Sequence, residues 1–207
     1  KIIAGFDHTC VVYDYVSESG AISQNGLVKC FGYNGYGQLG QGDNVTRGDN
    51  PGELGDALPA VALGTNRSAV AIAAGYYHTC ALLDNGAVKC FGYNFYGQLG
   101  QGDNVTRGDN PGELGDALPA VALGTNRSAV AIAAGYYHTC ALLDNGAVKC
   151  FGYNFYGQLG QGDNVTRGDN PGELGDALPA VALGTNRSAV AIAAGYYHTC
   201  ALLDNGA

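Results

Sequence analysis

The sequence predicts an all-β fold: blades of a β-propeller, each a sheet of four short antiparallel strands, in a 60-residue repeat array. The repeat itself is the first observation, because residues 31–90, 91–150 and 151–207 are copies of one sequence that differ only at Gly35, which is phenylalanine in the later copies. The second is that each copy holds four short apolar runs between Gly, Asn and Asp. The third is composition, since 34 of 207 residues are glycine and 46% are apolar, which is typical of a compact β-rich chain.

The repeat sets the domain organisation. Residues 1–30 are a partial first repeat with a ten-residue insertion, residues 31–90 and 91–150 are repeats, and residues 151–207 are a truncated repeat. Units of this size bury their apolar faces only against one another, so function is expected in what a repeating surface can do. The insertion, around Tyr13 to Ala21, is the only unique sequence and is expected to serve as a cap or a joint.

In chain order, the four strands of one repeat are predicted at residues 59–63, 68–74, 78–83 and 87–92. The last two are joined by Asp84-Asn85-Gly86, which suits a three-residue hairpin loop with Gly86 in the left-handed conformation. That register places Leu83 opposite Ala87 and Cys80 opposite Cys90. Residues 93–118 follow without strand periodicity, and a loop of this length is expected to be a functional or contact surface.

Residues 73–103 read Ala-Ala-Gly-x-x-His-Thr-Cys-Ala-Leu-Leu-Asp-Asn-Gly-x-Val-Lys-Cys-Phe-Gly-x-Asn-x-x-Gly-Gln-Leu-Gly-x-Gly-Asp. This pattern resembles the repeat of the regulator of chromosome condensation (RCC1-like) family, and every copy carries it. The resemblance implies RCC1-like β-propeller blades, usually seven to a ring, which would need about 420 residues at this period. The chain is therefore predicted to be incomplete as a single closed propeller. Fold alone implies little about function.

The cysteines predict cross-links within the blades. Two cysteines directly opposite each other in a hairpin have their β-carbons within disulfide reach. The predicted pairs are Cys10 with Cys30, Cys80 with Cys90 and Cys140 with Cys150, which leaves Cys200 unpaired. A disulfide in every blade is expected only in an oxidising compartment, so the protein is predicted to be extracellular or at the cell surface.

Two metal sites are weighed and not favoured. His78 lies two residues from Cys80, but a His-Cys-Cys zinc site lacks a fourth ligand at recognisable spacing. The favoured interpretation is a hydrogen-bonded structural histidine in each blade, at His8, His78, His138 and His198. An oxygen-rich loop leaves calcium open as a ligand, although its spacing matches no EF-hand and solvated turn residues are favoured. That loop contains Asp103, Asn104, Asp109, Asn110, Glu113 and Asp116.

Each full repeat contains two Asn-x-Ser/Thr triplets in polar loops, where a glycosyltransferase could reach them. The acceptor residues are Asn44, Asn66, Asn104, Asn126, Asn164 and Asn186. Since duplication copied both triplets, they amount to two independent observations. N-linked glycans are predicted, against solvated turn asparagines as the alternative.

Charge and motif content exclude several classes of function. The chain has a net charge of −8, with five acidic and three basic residues in each full repeat, so nucleic acid is excluded as a partner. No apolar run approaches the roughly 18 residues of a membrane span. No nucleophile, base and orienting group occur together, so no enzyme activity is predicted. The aromatics of one repeat could stack on sugars, but packing explains them better; they are Tyr76, Tyr77, Tyr93, Phe95 and Tyr96.

The chain has no methionine and begins inside a strand-like segment, which predicts that both ends derive from something longer or processed and that any signal peptide is already absent. The favoured function is a non-enzymatic secreted structural repeat protein that self-associates with further copies, head to tail, into a glycosylated extracellular fibre or surface coat. The alternative is an RCC1-like propeller binding module, lectin-like or protein-binding. A nucleotide-exchange factor, the role of the family's founding member, is opposed by the acidic charge and the cysteines.

Overall fold

The computed structural model describes residues 1–16 and 22–207, and this part of the chain folds into four antiparallel sheets. The first blade contains β1 (Ile2–Ala4), β2 (His8–Val16) and β3 (Ile22–Gly32); the second contains β4 (Ala69–Ala74), β5 (His78–Leu83) and β6 (Val88–Gly92); the third contains β7 (Ala129–Ala134), β8 (His138–Leu143) and β9 (Val148–Gly152). The last sheet pairs β10 (Ala189–Ala194) with β11 (Thr199–Leu203). The predicted insertion around Tyr13 to Ala21 falls partly on residues 17–21, which lie outside the described residues.

The hydrophobic core lies between the blades. In β5, Cys80 and Leu82 point to the third blade, while Ala81 and Leu83 point to the first, because successive side chains of a strand face opposite sides of its sheet. All six residues of β5 are buried, so the strand is apolar throughout rather than alternating. Each repeat thus contributes half of two interfaces, which explains why one repeat alone has no core of its own.

The hairpin register is the one that the sequence predicts. Cys80 pairs with Cys90 in the β5–β6 ladder. The Leu83 amide donates to the Ala87 carbonyl at 2.8 Å, so the loop has three residues. Gly86 closes it with a φ of 77°, a conformation that a residue with a β-carbon adopts at a cost.

The prediction of four strands per blade is wrong, since each complete blade has three. Residues 119–123, like residues 59–63, run along the outer edge of the sheet without forming a ladder. Pro119 has no amide hydrogen to donate, and the Val121 amide makes one bond to the Val88 carbonyl at 2.8 Å. The next backbone carbonyl, that of Ala122, accepts from Gly175 of the following repeat instead. The segment therefore links repeats rather than widening a blade.

The long loop of residues 93–118 covers the rest of this edge. Arg107 and Gly92 exchange two backbone hydrogen bonds, which closes the outer side of β6. The Gly102 amide donates to the carbonyl of Gly168 in the following loop at 3.1 Å. Covering an edge strand in this way removes a template for unwanted pairing, and it holds successive loops in one row.

Three disulfides join the second and third strands of the blades, Cys10 to Cys30, Cys80 to Cys90 and Cys140 to Cys150. These six cysteines are fully buried. Cys200 is exposed and free within the described part of the chain.

Replacing Cys80 and Cys90 together with alanine is expected to lower the free energy of unfolding by roughly 2 to 3 kcal/mol, because the cross-link restricts the unfolded chain. Urea denaturation measures the loss. The matched control is Cys200→Ala, which removes an exposed and unpaired thiol and should change stability by less than about 0.5 kcal/mol. An equally small effect of the double substitution would contradict a structural role for the bond.

Candidate functional site

Successive blades meet at the glycine that directly follows the first strand of each blade, which is Gly5, Gly75, Gly135 or Gly195. An added β-carbon at Gly135 would lie 2.6 Å from the Gly195 carbonyl oxygen and 2.0 Å from Cε1 of His138, so the position has no room for a side chain. Backbone hydrogen bonds then join the aromatic residues that follow, Tyr76 to Tyr136 and Tyr136 to Tyr196, each at 3.2 Å. The close approach brings aromatic rings of neighbouring blades together.

These rings form a ladder that crosses the blade junctions. The ring centroids of Phe6 and Tyr76 are 4.4 Å apart, those of Tyr76 and Tyr136 are 4.0 Å apart, and those of Tyr136 and Tyr196 are 3.9 Å apart. The ladder arises because the same Ala-Gly-aromatic triplet recurs at the same point of each blade.

A second row of rings lies beside the ladder. Tyr96 sits between blades, with its ring centroid 5.1 Å from that of Tyr137 and 4.8 Å from that of Tyr153. Tyr137 in turn is 4.2 Å from Tyr136 of the ladder. We call the combined surface the aromatic face; it comprises Phe6, Tyr33, Tyr36, Tyr76, Tyr77, Tyr93, Phe95, Tyr96, Tyr136, Tyr137, Tyr153, Phe155, Tyr156, Tyr196 and Tyr197.

Three phenols of the aromatic face have raised pKa values. Burial raises the pKa of Tyr93 to about 12 and likewise that of Tyr197 to about 12. The pKa of Tyr77 is raised first by its hydrogen bond with Tyr76, whose hydroxyl oxygen lies 3.0 Å from its own. These three phenols therefore stay protonated at neutral pH.

Packing accounts for most of these aromatics, as the sequence indicates, but not for the phenylalanine that the first repeat lacks. Phe95 is 60% exposed and Phe155 is 61% exposed. Each ring is nearly parallel to that of the tyrosine two residues earlier, with interplanar angles of 13° and 12° and centroids 6.3 and 6.2 Å apart. The two rings project from the aromatic face at the same point of successive repeats.

Three histidines, His8, His78 and His138, have the structural role that the sequence favours, whereas His198 is exposed and makes no side-chain hydrogen bond within the described residues. Thr139 uses its hydroxyl hydrogen to donate to the Gln98 carbonyl at 2.9 Å, so it accepts from Nε2 of His78, also at 2.9 Å. His8 contacts Thr79 and His138 contacts Thr199 in the same way. These bonds connect each blade to the next, and Nδ1 of all three imidazoles is buried without a partner. With Cys80 in a disulfide, the weighed zinc set does not form here.

The acidic and amide residues weighed as calcium ligands take separate partners. Asp103 pairs with Arg107 at 2.6 Å, and this contact lowers the pKa of its carboxyl group. Glu113 accepts the backbone amides of Gly108 and Asn110, whereas Asp116 accepts the amide of Thr65 in the preceding repeat. Among residues 1–16 and 22–207, no three His, Cys, Asp or Glu side chains are grouped to hold a metal ion. Asn104 is exposed.

All six asparagines of the predicted glycosylation triplets are exposed. Asn66, Asn126 and Asn186 occupy the left-handed region with φ of 55° to 56°, each within a tight turn. Asn44, Asn104 and Asn164 lie in the long loops.

Nothing in the described ranges, 1–16 and 22–207, is a helix of the length and apolar character needed to cross a bilayer.

Stacked three-stranded blades with a shared aromatic face define a propeller-type repeat protein. The sequence profile described as "Regulator of chromosome condensation (RCC1) repeat" matches residues 25–82, 85–142 and 145–202. A second profile of the same description matches residues 69–98 and 129–158. The chain belongs to the RCC1 repeat family.

Among curated relatives, the chain is 29% identical over 167 residues to the ultraviolet-B receptor UVR8 of Arabidopsis thaliana, covering 79% of this chain and 31% of the relative. It is 30% identical over 183 residues to the probable E3 ubiquitin-protein ligase HERC4 of Homo sapiens, covering 88% of this chain and 15% of that protein. The chain thus spans less than a third of either relative.

Solved structures share the fold at low identity. Prp20p of Saccharomyces cerevisiae, described with its binding to Gsp1p and histones, aligns with a TM-score of 0.64 and 17% identity, covering 97% of this chain and 42% of that one. Yeast RCC1 bound to Kap60 aligns with a TM-score of 0.59 and 19% identity, covering 96% and 40%. Both similarities show a shared fold, and the chain covers less than half of either solved chain.

Proposed function

We propose that this chain is a non-enzymatic RCC1-like module that binds a protein partner through the aromatic face. The observation that carries the proposal is the exposure of Phe95, Phe155 and Tyr156, at 60 to 62%, on a surface already built of stacked rings. Tyrosine and phenylalanine are enriched in protein interfaces, and a few aromatic anchors supply most of the binding energy. An exposed contiguous apolar patch is a typical sign of such a surface.

The scaffold supports this function because it holds the rings in place. Disulfides within blades and His–Thr hydrogen bonds between blades fix the backbone on which the rings stand. A surface that is ordered before binding loses less conformational entropy on association.

The test places a photo-cross-linking phenylalanine analogue at position 95 and, as a control, at Val130, which is 57% exposed on β7 outside the aromatic face. A partner captured from the source organism through position 95 alone is then purified and titrated. The double variant Phe95→Gly/Phe155→Gly should weaken binding about tenfold or more. This double variant has the glycine of the first full repeat, Gly35, at the equivalent position of every repeat, so it is expected to fold. Val130→Ala/Val190→Ala is the matched control. Unchanged affinity of the glycine variant would refute the proposed surface.

Self-association into a head-to-tail array stays a proposal beside this one. It is supported by the identity of the repeats, because the residues that join one blade to the next recur in each copy and can join two chains in the same way. Light scattering should find oligomers whose mass grows with concentration, and a monodisperse monomer at all concentrations would contradict the array and the fibre.

Secretion and N-glycosylation are also proposals. The three buried disulfides fit an oxidising compartment, and the exposed asparagines fit access by a glycosyltransferase. The intact mass of natively sourced protein should fall on enzymatic deglycosylation. An unchanged mass would remove the glycans from the proposal.

A further inference from the structure

The one position at which the repeats differ lies on the aromatic face. In the first repeat, the hydroxyl of Tyr33 lies 2.1 Å from where a β-carbon of Gly35 would stand, so the tyrosine covers the site. In the later repeats, Phe95 and Phe155 extend the surface by a flat, exposed ring. A core residue would be buried, whereas both of these rings are about 60% exposed and therefore available to a ligand. The ring faces carry the negative part of the aromatic quadrupole.

The basic side chains of the repeat all have hydrogen-bond or ion-pair partners within the protein. Arg107 pairs with Asp103 at 2.6 Å and Arg127 with Asp144 at 3.2 Å. Lys89 donates to the Gly115 carbonyl at 2.7 Å. Each of these three residues recurs once per 60-residue period against five acidic residues, so three positive and five negative charges leave each period a net charge of −2.

Acidic loop residues adjoin the aromatic face through their backbone at two junctions between repeats. The Asp109 nitrogen lies 2.4 Å from the position of an added β-carbon at Gly37, which follows Tyr36. Asp169 packs against Gly97, next to Tyr96, in the same way. Glu113 holds the first of these loops through the amides of Gly108 and Asn110. A loop of the following repeat thus lies next to Tyr36 and next to Tyr96, whereas Gly157, next to Tyr156, has no such neighbour in the described chain.

We propose that the aromatic face selects a partner segment rich in arginine, whose guanidinium groups stack on the exposed rings of Phe95 and Phe155 while the net negative charge of the repeats attracts the positive charge. This inference rests on the proposed function, since it names the chemistry of the partner for the same surface. Stacking favours arginine, because its planar guanidinium is weakly hydrated and covers a ring, whereas the lysine ammonium is a strongly hydrated point charge.

Repetition makes the contact bivalent. Phe95 and Phe155 are one repeat apart, are exposed to the same extent and are each parallel to the tyrosine two residues earlier, so one extended segment with several arginines can occupy both. Binding at the second ring is then intramolecular, which increases the overall affinity without any new kind of contact.

The experiment titrates the intact chain with a short fluorescein-labelled peptide of alternating arginine and glycine, followed by fluorescence anisotropy. Peptides with lysine or glutamate in place of arginine are the probes for charge alone. The arginine peptide should bind at least about fivefold more tightly than the lysine peptide, the equivalent of about 1 kcal/mol for a cation–π contact. The glutamate peptide should not bind. Added salt should weaken binding of the arginine peptide.

Phe95→Gly/Phe155→Gly should weaken binding of the arginine peptide by more than about fivefold, and each single variant should have a smaller effect. Val130→Ala/Val190→Ala should leave it unchanged, and far-ultraviolet circular dichroism checks that all variants fold. Equal affinity for arginine and lysine peptides, no binding of the arginine peptide, or unchanged binding by the glycine variant would each overturn the inference. If a protein partner still cross-links through position 95 in those cases, the proposed function stands and only the arginine preference fails.

Discussion

Lowering the pH from about 7 to about 4.5 is expected to destabilise the blade array strongly, because three buried imidazoles can accept a proton only after unfolding. Burial lowers the pKa of His8 to about 4, of His78 to about 3 and of His138 to about 4. Neighbouring imidazoles add to the shift at His78. The Nδ1 atoms have no acceptor, so a proton there would create an unpaired buried charge.

The direction follows from linkage. Each imidazole has a lower pKa in the folded state than the value of about 6.5 in the unfolded chain, so the unfolded chain binds more protons below that pH. The stabilising contribution is complete above about pH 6.5 and is lost as the pH falls toward the folded values. Each histidine can remove up to about 1.4 kcal/mol per pH unit. Asp163, whose pKa the Arg167 contact lowers to about 2, loses its contribution mainly below about pH 4. Burial raises the pKa of Asp109, which opposes the loss slightly.

Urea denaturation at a series of pH values between about 7 and 4.5 measures this effect. His78→Gln retains a nitrogen donor toward Thr139 but does not titrate, so its stability should depend less steeply on pH. His198→Gln is the control, because His198 is exposed. A His78→Gln protein with the same pH dependence as the parent would disprove the role of the buried imidazole.

Phe91→Ala or Phe151→Ala is expected to lower the free energy of unfolding by roughly 3 to 5 kcal/mol, the range for a large aromatic removed from a packed core. Both side chains are fully buried in the preceding blade. Phe151 packs with Leu99, Val121 and Leu123, so its removal opens a cavity at a blade junction.

The chain contains its own control for this experiment. Phe31 occupies the same place in β3 but is only partly buried, because it faces away from the described blades. Phe31→Ala should therefore cost much less than Phe91→Ala when both are measured by urea denaturation. Equal losses would mean that the residues stabilise their own hairpins rather than the junctions.

Local chemistry made much of the blade predictable. Gly86 defines a hairpin loop, and the loop fixes the register that brings Cys80 opposite Cys90. The same reasoning fails at residues 59–63, whose apolar pattern is that of a strand. There the decisive factor is tertiary, because Ala62 bonds to Gly115 of the next repeat instead of continuing a ladder.

Contacts between repeats are harder to read from one sequence. The partner of His78 is Thr139 in the next blade, yet an identical threonine, Thr79, is its neighbour in the chain. Because the copies are identical, the sequence does not show whether the threonine that bonds a given histidine lies in the same blade or in the next one. The sequence singles out the aromatics of one repeat and favours packing for them, but it does not show that rings of successive repeats meet across the blade junctions. The signal available for this is the recurrence of two aromatics after each Ala-Ala-Gly.

The two junctions among the first three blades are made by the same pairs of residues, histidine with threonine and phenylalanine with the leucine-valine pocket before it. A gene segment of one whole period can therefore be duplicated or lost by unequal recombination without creating a new interface. Copy number becomes a heritable variable that selection can adjust in single steps, while substitutions at the junctions are restrained because each would mismatch its neighbours. The one position that varies within residues 31–207, Gly35, lies outside these contacts, on the aromatic face, where a change alters the binding surface without disturbing a junction.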